Sequence, residues 1–221
     1  MCRFLMIRSD APLHPGRFLA GFADLAERSP APDGDPQADG WGVSWLDEKG
    51  CWQIRRFLEP VWESSRVFPE IPASSLFCFH ARSASAPDLK NNIDFNQPFV
   101  DGRFSFVFNG FLQGMSLPQP VPGRIGSQKI WALLRGFLDK SGPVESLAKL
   151  RDLLNSSARR VQALNIGLAD GTNLYGLCQY DDHEDYYRVW HHASPGLRMI
   201  GSGPLDGFRF EPAPLDSIFV L

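Results

Sequence analysis

Residues 127–154, SQKIWALLRGFLDKSGPVESLAKLRDLL, decide the fold because they read as two successive helices with no strand between them. Ser127 is a favourable N-cap, and Ile130, Leu133, Leu134, Phe137 and Leu138 recur at i, i+3, i+4, i+7 and i+8. Pro143 suits the first turn of a second helix carrying Leu147, Leu150 and Leu154. On either side the pattern is that of strands. Before it, Asp101-Gly102 turns the chain into Arg103–Asn109, where Phe104, Phe106 and Phe108 alternate as in a half-buried strand. After it, Val161–Ala169 and Thr172–Tyr180 flank Asp170-Gly171 as a hairpin.

The same reading extends to both ends. Residues 3–8, RFLMIR, form a short buried strand, and Gly16–Arg28 is an amphipathic helix with Phe18, Phe22, Leu25 and Ala26 on one face. Ser29–Ala38 is a Pro-, Asp- and Gly-rich surface loop. Trp41–Leu46 and Cys51–Phe57 form a hairpin across Asp47-Glu48-Lys49-Gly50, and Ser75–Arg82 is a further apolar strand. Ser83–Pro98 is a long polar loop, of a length that often carries function. Tyr186–Trp190, Arg198–Gly201 and Ile218–Leu221 are short strand candidates. Strands, two adjacent helices and strands again leave no βαβ alternation. The expectation is an α+β protein whose antiparallel sheets carry helices on their outer faces. No repeat or linker divides the chain, so residues 1–221 are expected to form one domain.

Composition narrows the function. The 22 basic and 25 acidic residues leave a net charge of −3 with no Lys/Arg block, which gives no electrostatic case for nucleic acid or an anionic membrane. No apolar run approaches the roughly 18 residues of a membrane span, and Met1-Cys2-Arg3-Phe4 does not open as a signal peptide. A soluble cytoplasmic protein is expected. Cys2, Cys51, Cys78 and Cys178 lie far apart, without a paired motif or a histidine at ligand spacing. Neither a disulfide framework nor a metal site is expected, and no cofactor is implied. The last three cysteines read as core residues in strands.

Four features bear on chemistry. Removal of Met1 would place a thiol and a free α-amine on one residue, Cys2, and such an amine, with a pKa of about 7.7–8, is partly neutral at pH 7 and serves as a base. By itself Cys2 also reads as a buried cysteine opening a strand. Arg82, at the end of an apolar strand, suits a carboxylate held by two parallel hydrogen bonds, or a structural ion pair. Asn109-Gly110 reads as a turn, or as two donors aimed at a developing oxyanion. Asp39-Gly40-Trp41-Gly42 reads as a turn before a strand, or as a place of close backbone approach. Together they fit one scheme, amide hydrolysis on a γ-glutamyl group.

In order and context these pieces resemble the class II glutamine amidotransferases, cysteine members of the N-terminal nucleophile hydrolases. Within them the resemblance is to the stand-alone branch that includes the ergothioneine-pathway γ-glutamyl hydrolases. The matching blocks are Met1-Cys2-Arg3, Ala38 to Trp45 (ADGWGVSW), His80 to Ser85 (HARSAS), Asn96-Gln97-Pro98-Phe99 and Phe104 to Gly110 (FSFVFNG). The resemblance implies a four-layer αββα sandwich. It also implies Cys2 as nucleophile, Asn109 and Gly110 as oxyanion hole, and Arg82 as binder of the substrate α-carboxylate. Gly40, Trp41 and Ser85 would shape the substrate pocket.

Three positions depart from the family pattern. Gly126 stands where an Asp that binds the substrate α-ammonium is usual, Phe108 stands for the His before Asn-Gly, and Ser202-Gly203-Pro204-Leu205 replaces a block that carries Glu. Loss of one charge-assisted hydrogen bond, about 1.5–3 kcal/mol, weakens binding roughly 10- to 150-fold. The leading expectation is hydrolysis of a γ-glutamyl amide, either glutamine or a small conjugate, through a thioester on Cys2. The ammonia or amine would be released or passed to a separate accepting enzyme. The alternatives are the same fold acting on an acyl group without a free α-amine, and a catalytically silent binding or regulatory subunit.

Overall fold

Along the first strand, Leu5 and Ile7 point into one core while Phe4 and Met6 point into another, and all four are fully buried. A strand buried on both faces must lie inside a layered structure. The computed structural model describes residues 1–29, 31–117 and 119–221. Pro30, inside the loop expected over Ser29–Ala38, and Pro118 lie outside the described residues.

The elements are β1 (Arg3–Leu13), α1 (Gly16–Arg28), β2 (Trp41–Leu46), β3 (Trp52–Phe57), β4 (Ser74–Ala81), β5 (Phe99–Val100) and β6 (Ser105–Gln113). They continue with α2 (Gly126–Leu138), α3 (Pro143–Ser157), β7 (Arg160–Ala169), β8 (Leu174–Cys178), α4 (Glu184–Tyr187), β9 (Trp190–Ser194), β10 (Leu197–Gly201), β11 (Glu211–Pro212) and β12 (Ser217–Val220). Seven strands form one sheet in the order β11-β9-β10-β1-β4-β2-β3, and five form the other in the order β12-β8-β7-β6-β5. Every paired neighbour is antiparallel.

Three apolar layers hold this together. Phe18, Leu19 and Phe22 of α1 pack on Leu5, Val43 and Phe79 of the larger sheet. Phe4, Met6 and Cys78 meet Val107 and Leu174 between the sheets. Phe106 and Phe108 of β6 face Ile130, Leu134 and Leu150 of α2 and α3. The result is the expected four-layer αββα sandwich, with the alternating Phe104, Phe106 and Phe108 turned toward the helices. Gly167 lets the sheets approach, since a Cβ there would lie 2.2 Å from Met6 Sδ. Among the described residues no helix is long and apolar enough to cross a membrane.

Several local expectations change. The helix expected to start at Ser127 begins at Gly126. Its N-cap is Ile125, with no capping side chain, and Ser127 is buried within the first turn. Gln128 instead reaches back, its Oε1 accepting from the Arg124 backbone N–H at 2.9 Å. Tyr186–Trp190 is not a continuous strand. Tyr186 and Tyr187 close the short helix α4, where their carbonyls accept hydrogen bonds from Arg3 and Asn165. Tertiary bonding there overrides the β propensity of the two tyrosines. Cys51 is exposed just before β3, whereas Cys78 and Cys178 are buried. Asn109-Gly110 is no turn, because β6 continues through it to Gln113.

Candidate active site

β1 runs between β10 and β4, and its register with β4 pairs Arg3 with Ala81. Cys2, one residue before Arg3, therefore comes beside Arg82, one residue after Ala81. The start of β1 is tied down from several directions. The Arg3 guanidinium is buried over the Tyr186 ring, 3.9 Å from its centroid, and donates to Ser29 Oγ at 2.9 Å, to the Tyr186 carbonyl at 2.7 Å and to the Ser202 carbonyl. Burial pulls its pKa down, partly offset by Tyr186 and Tyr187. Tyr186 donates its hydroxyl to the Cys2 carbonyl at 3.1 Å, and Tyr187 donates to Met1 Sδ. Burial raises the pKa of both tyrosines. These anchors hold Cys2 at the rim of a cavity of about 660 Å³, into whose wall Met1, Cys2, Arg82 and Gly110 all contribute.

The smaller sheet delivers Asn109. The Cys2 backbone N–H donates to Asn109 Oδ1 at 3.3 Å, across the gap between the sheets. Asn109 is fully buried and its Nδ2 has no partner among the described residues. An unpaired buried amide donor is costly unless something accepts it. Gly110 beside it is required sterically, because a Cβ there would stand 2.2 Å from the Ala163 carbonyl oxygen. The Cys2 thiol makes only a long contact, 3.8 Å, to the Ser83 carbonyl.

Arg82 is 4% exposed, and no carboxylate comes within ion-pair distance of it among the described residues. Its Nη2 donates to the Leu89 carbonyl at 2.6 Å, and Nη1 lies at 3.4 Å from Asn96 Oδ1 and 3.5 Å from the Asp39 carbonyl. Burial lowers its pKa, partly offset by Cys2 and Asp39. Among the described residues Arg82 therefore lacks the ion pair that would have made it purely structural. A buried cation held only by neutral oxygens is a ready carboxylate site. The Asp39 carboxylate is used elsewhere: it accepts from the Ala84 N–H at 2.8 Å and pairs with Lys90 Nζ at 3.2 Å, fixing the turn after Arg82.

The remaining expected residues separate into two groups. Ser85 is exposed on the cavity wall. Trp41 and Gly40 are not on that wall. Trp41 is fully buried beneath the larger sheet, stacked on Phe57 and donating its indole N–H to Ser64 Oγ at 2.8 Å. Gly40 accepts the Arg82 backbone N–H at 2.9 Å, and its φ of +101° with Asn96 Nδ2 only 2.2 Å from a Cβ position excludes a side chain. Gly40 thus supports Arg82 directly, and Asn96 ties Arg82 to the carbonyl of Phe57, on whose ring Trp41 stacks. Gly126 lies on the wall with open space around it, and Ser202 braces β1 through the Phe4 N–H at 2.8 Å. Among the described residues no cluster of His, Cys, Asp or Glu is arranged to hold a metal ion.

Sequence reasoning named Asp39, Asn96, Ser83 and Tyr186 only within motif blocks and a strand candidate and foresaw none of their contacts. The Ser83 hydroxyl is buried without a partner on the cavity wall. Nothing in the local spacing signals these contacts, which depend on residues 14 to 184 positions away.

His80 sits in the same blocks but faces the interior. It is fully buried, its Nε2 lies 3.2 Å from the Phe108 carbonyl and its Nδ1 has no partner among the described residues. Desolvation pushes its pKa from 6.5 down to about 3, so it is neutral at pH 7. Because the folded-state pKa is depressed, the unfolded chain takes up a proton below about pH 6.5 that the folded chain refuses until about pH 3. This group therefore removes about 1.4 kcal/mol of stability per pH unit as pH falls through that window. His80→Gln is expected to flatten that slope. Urea unfolding at pH 7 and pH 5, on both proteins, measures it, and equal slopes would contradict a buried neutral imidazole.

Two antiparallel sheets sandwiched by helices, with a cysteine at the second residue facing a cavity, define the class: an N-terminal nucleophile hydrolase-like fold. The class-II glutamine amidotransferase family matches residues 1–194, and the chain belongs to that family. Its structure is similar to that of a glutamine aminotransferase class-II domain protein from Silicibacter pomeroyi, with TM-score 0.64 and 16% identity over 99% of this chain and 94% of that one. A predicted glutamine amidotransferase from Pseudomonas aeruginosa is similar with TM-score 0.55 and 16% identity, over 99% and 96% of the two chains. The glutamine phosphoribosylpyrophosphate amidotransferase of B. subtilis gives TM-score 0.60 and 13% identity, over 91% of this chain and 42% of that one. No curated protein sequence matches.

Proposed function

We propose that this chain acts over residues 1–221 as one amidotransferase-like domain, and that after loss of Met1 it hydrolyses a γ-glutamyl amide with Cys2 as nucleophile. The observation that carries the reading is the Cys2 nitrogen 3.3 Å from Asn109 Oδ1, with the Nδ2 of the same buried amide unpaired. One side chain thereby orients the amine that serves as base and keeps a donor free for the oxyanion. The neutral α-amine takes the thiol proton, directly or through a water, and the thiolate attacks the γ-carbonyl carbon. The tetrahedral oxyanion forms against Asn109 Nδ2 and the Gly110 N–H. When it collapses, the carbon–nitrogen bond breaks and the proton passes from the α-ammonium to the departing nitrogen. Water, deprotonated by the same amine, then cleaves the thioester to the carboxylate and restores the thiol.

Arg82 holds the substrate α-carboxylate, Ser85 contributes at the lip, and Gly40 and Trp41 act through Arg82. Simple hydrolysis of a small γ-glutamyl compound, in the cytoplasm and away from membrane and nucleic acid, requires no separate enzyme to accept the ammonia or amine. No cofactor takes part in this scheme.

Intact mass before and after incubation with an electrophilic glutamine analogue tests the reading. The expected result is loss of Met1 and a single adduct on Cys2; retained Met1 in protein from cells with normal methionine processing would count against it. Arg82→Ala is expected to raise KM by roughly 10- to 150-fold, the value of a charge-assisted pair, with a smaller change in kcat. An unchanged KM would remove Arg82 from substrate binding.

A further inference from the structure

We propose that the substrate carries an apolar acyl group on its α-nitrogen, and that this group lies in the part of the cavity between the end of β6 and α2. The inference rests on the reading of Cys2 and Arg82 given above. A volume of about 660 Å³ lies in the range of roughly 300–1,000 Å³ that encloses drug-sized molecules, far more than a γ-amide of a single amino acid fills. Much of the wall is apolar. Beyond Gly110 the wall includes Phe111 and Leu112 of β6, Met115, and Ile125, Ile130 and Leu133 at and along α2. Phe111 and Met115 are each left 37% exposed, so an apolar occupant would remove their surface from water. Gly126 lies on this wall with open space where a side chain would stand.

Charge points the same way. If Arg82 holds the α-carboxylate, the α-nitrogen lies on the neighbouring carbon, close to a guanidinium that no carboxylate neutralises within ion-pair distance among the described residues. The first turn of α2 contributes no acid, and the charged side chain it brings to the wall is Lys129. Asp39, behind Arg82, is engaged by Lys90 and Ala84 and is off the wall. The two carboxylates on the wall, Asp33 and Asp35, belong to the exposed loop beside Pro32, and the charge of Asp33 bears on Tyr186 and Tyr187 at the Met1 rim. A free α-ammonium would thus find no carboxylate within ion-pair distance of Arg82 and none in the first turn of α2 to pair with, among the described residues, whereas an acylated nitrogen carries no charge and needs no such partner.

The chemistry of the bond that breaks is unaltered: the γ-amide is cleaved, ammonia leaves and the N-acyl group stays on the glutamate product. The test uses the Met1-processed protein with L-glutamine, N-acetyl-L-glutamine and N-octanoyl-L-glutamine, reading ammonia release. The expected kcat/KM rises from glutamine to the octanoyl compound, at up to about fourfold per buried methylene. Phe111→Asp, at an exposed position, is expected to reduce the octanoyl advantage several-fold. Glutamine as the best substrate, or rates independent of chain length, would overturn the proposal. Calorimetric binding of N-octanoyl-L-glutamate and L-glutamate to Cys2→Ala protein separates this idea from the hydrolytic reading. If no amide is cleaved and Cys2 takes no adduct, hydrolysis fails, yet tighter binding of the octanoyl compound still upholds the apolar arm. Equal or weaker binding overturns it.

Discussion

Replacing Cys2 by alanine is expected to abolish amide hydrolysis, lowering kcat/KM by at least about 10⁴-fold, the scale on which loss of a nucleophile registers in enzymes that depend on one. The fold should survive. The Cys2 side chain touches only the Ser83 carbonyl at 3.8 Å, while the backbone of the residue carries the bonds to Asn109 and Tyr186. Urea unfolding midpoints for the two proteins should therefore agree closely while initial rates do not. Cys2→Ser keeps the amine base and its bond to Asn109 but replaces the thiol by a poorer nucleophile, so it too should be severely impaired. If Cys2→Ala left every activity of the protein intact, the better description would be a silent binding or regulatory relative.

Asn109→Ala is expected to lower kcat by about 10²–10³-fold with little change in KM, because the lost donor acts where negative charge develops and not on the resting substrate. Asn109→Asp should be at least as damaging, since it sets a carboxylate beside the forming oxyanion while preserving size. A structural cost accompanies the alanine variant. Asn109 is fully buried and its Oδ1 satisfies the Cys2 nitrogen, so about 1–3 kcal/mol of stability should be lost. Circular dichroism at the assay temperature shows whether the protein remains folded, and the rate is then read on folded protein. A loss confined to KM would assign Asn109 to binding and leave the oxyanion without its side-chain donor.

The two variants probe residues whose importance was partly readable beforehand. Cys2 was readable from its position next to Met1, and Arg82 and Asn109-Gly110 from residue type and from the blocks in which they stand. The α1 helix was readable to both ends, Gly16–Arg28, because its apolar residues keep one face. α3 began at Pro143 for the same kind of local reason. Where competing contacts come from afar, local patterning misleads. Tyr186 and Tyr187 have strand-forming side chains, yet bonds to their carbonyls from Arg3 and Asn165 bend the chain into α4. Ser127 has an N-cap side chain, yet the helix starts one residue sooner and buries it.

Periodicity and residue chemistry in the sequence by themselves determined that strands enclose a helix pair, that Phe104, Phe106 and Phe108 point one way, and which reactive groups are present. Only the tertiary structure decided that these groups meet. Arg82 stands beside Cys2 through the β1–β4 register, and Asn109 reaches them because a second sheet packs across the first. The same packing decided that Trp41 and Gly40 lie behind Arg82 instead of in the cavity. The physical reason is range. Helical and strand periodicities are set by neighbours a few residues apart, whereas register and sheet stacking are set by cores such as Met6 against Gly167, and no local pattern encodes that distance.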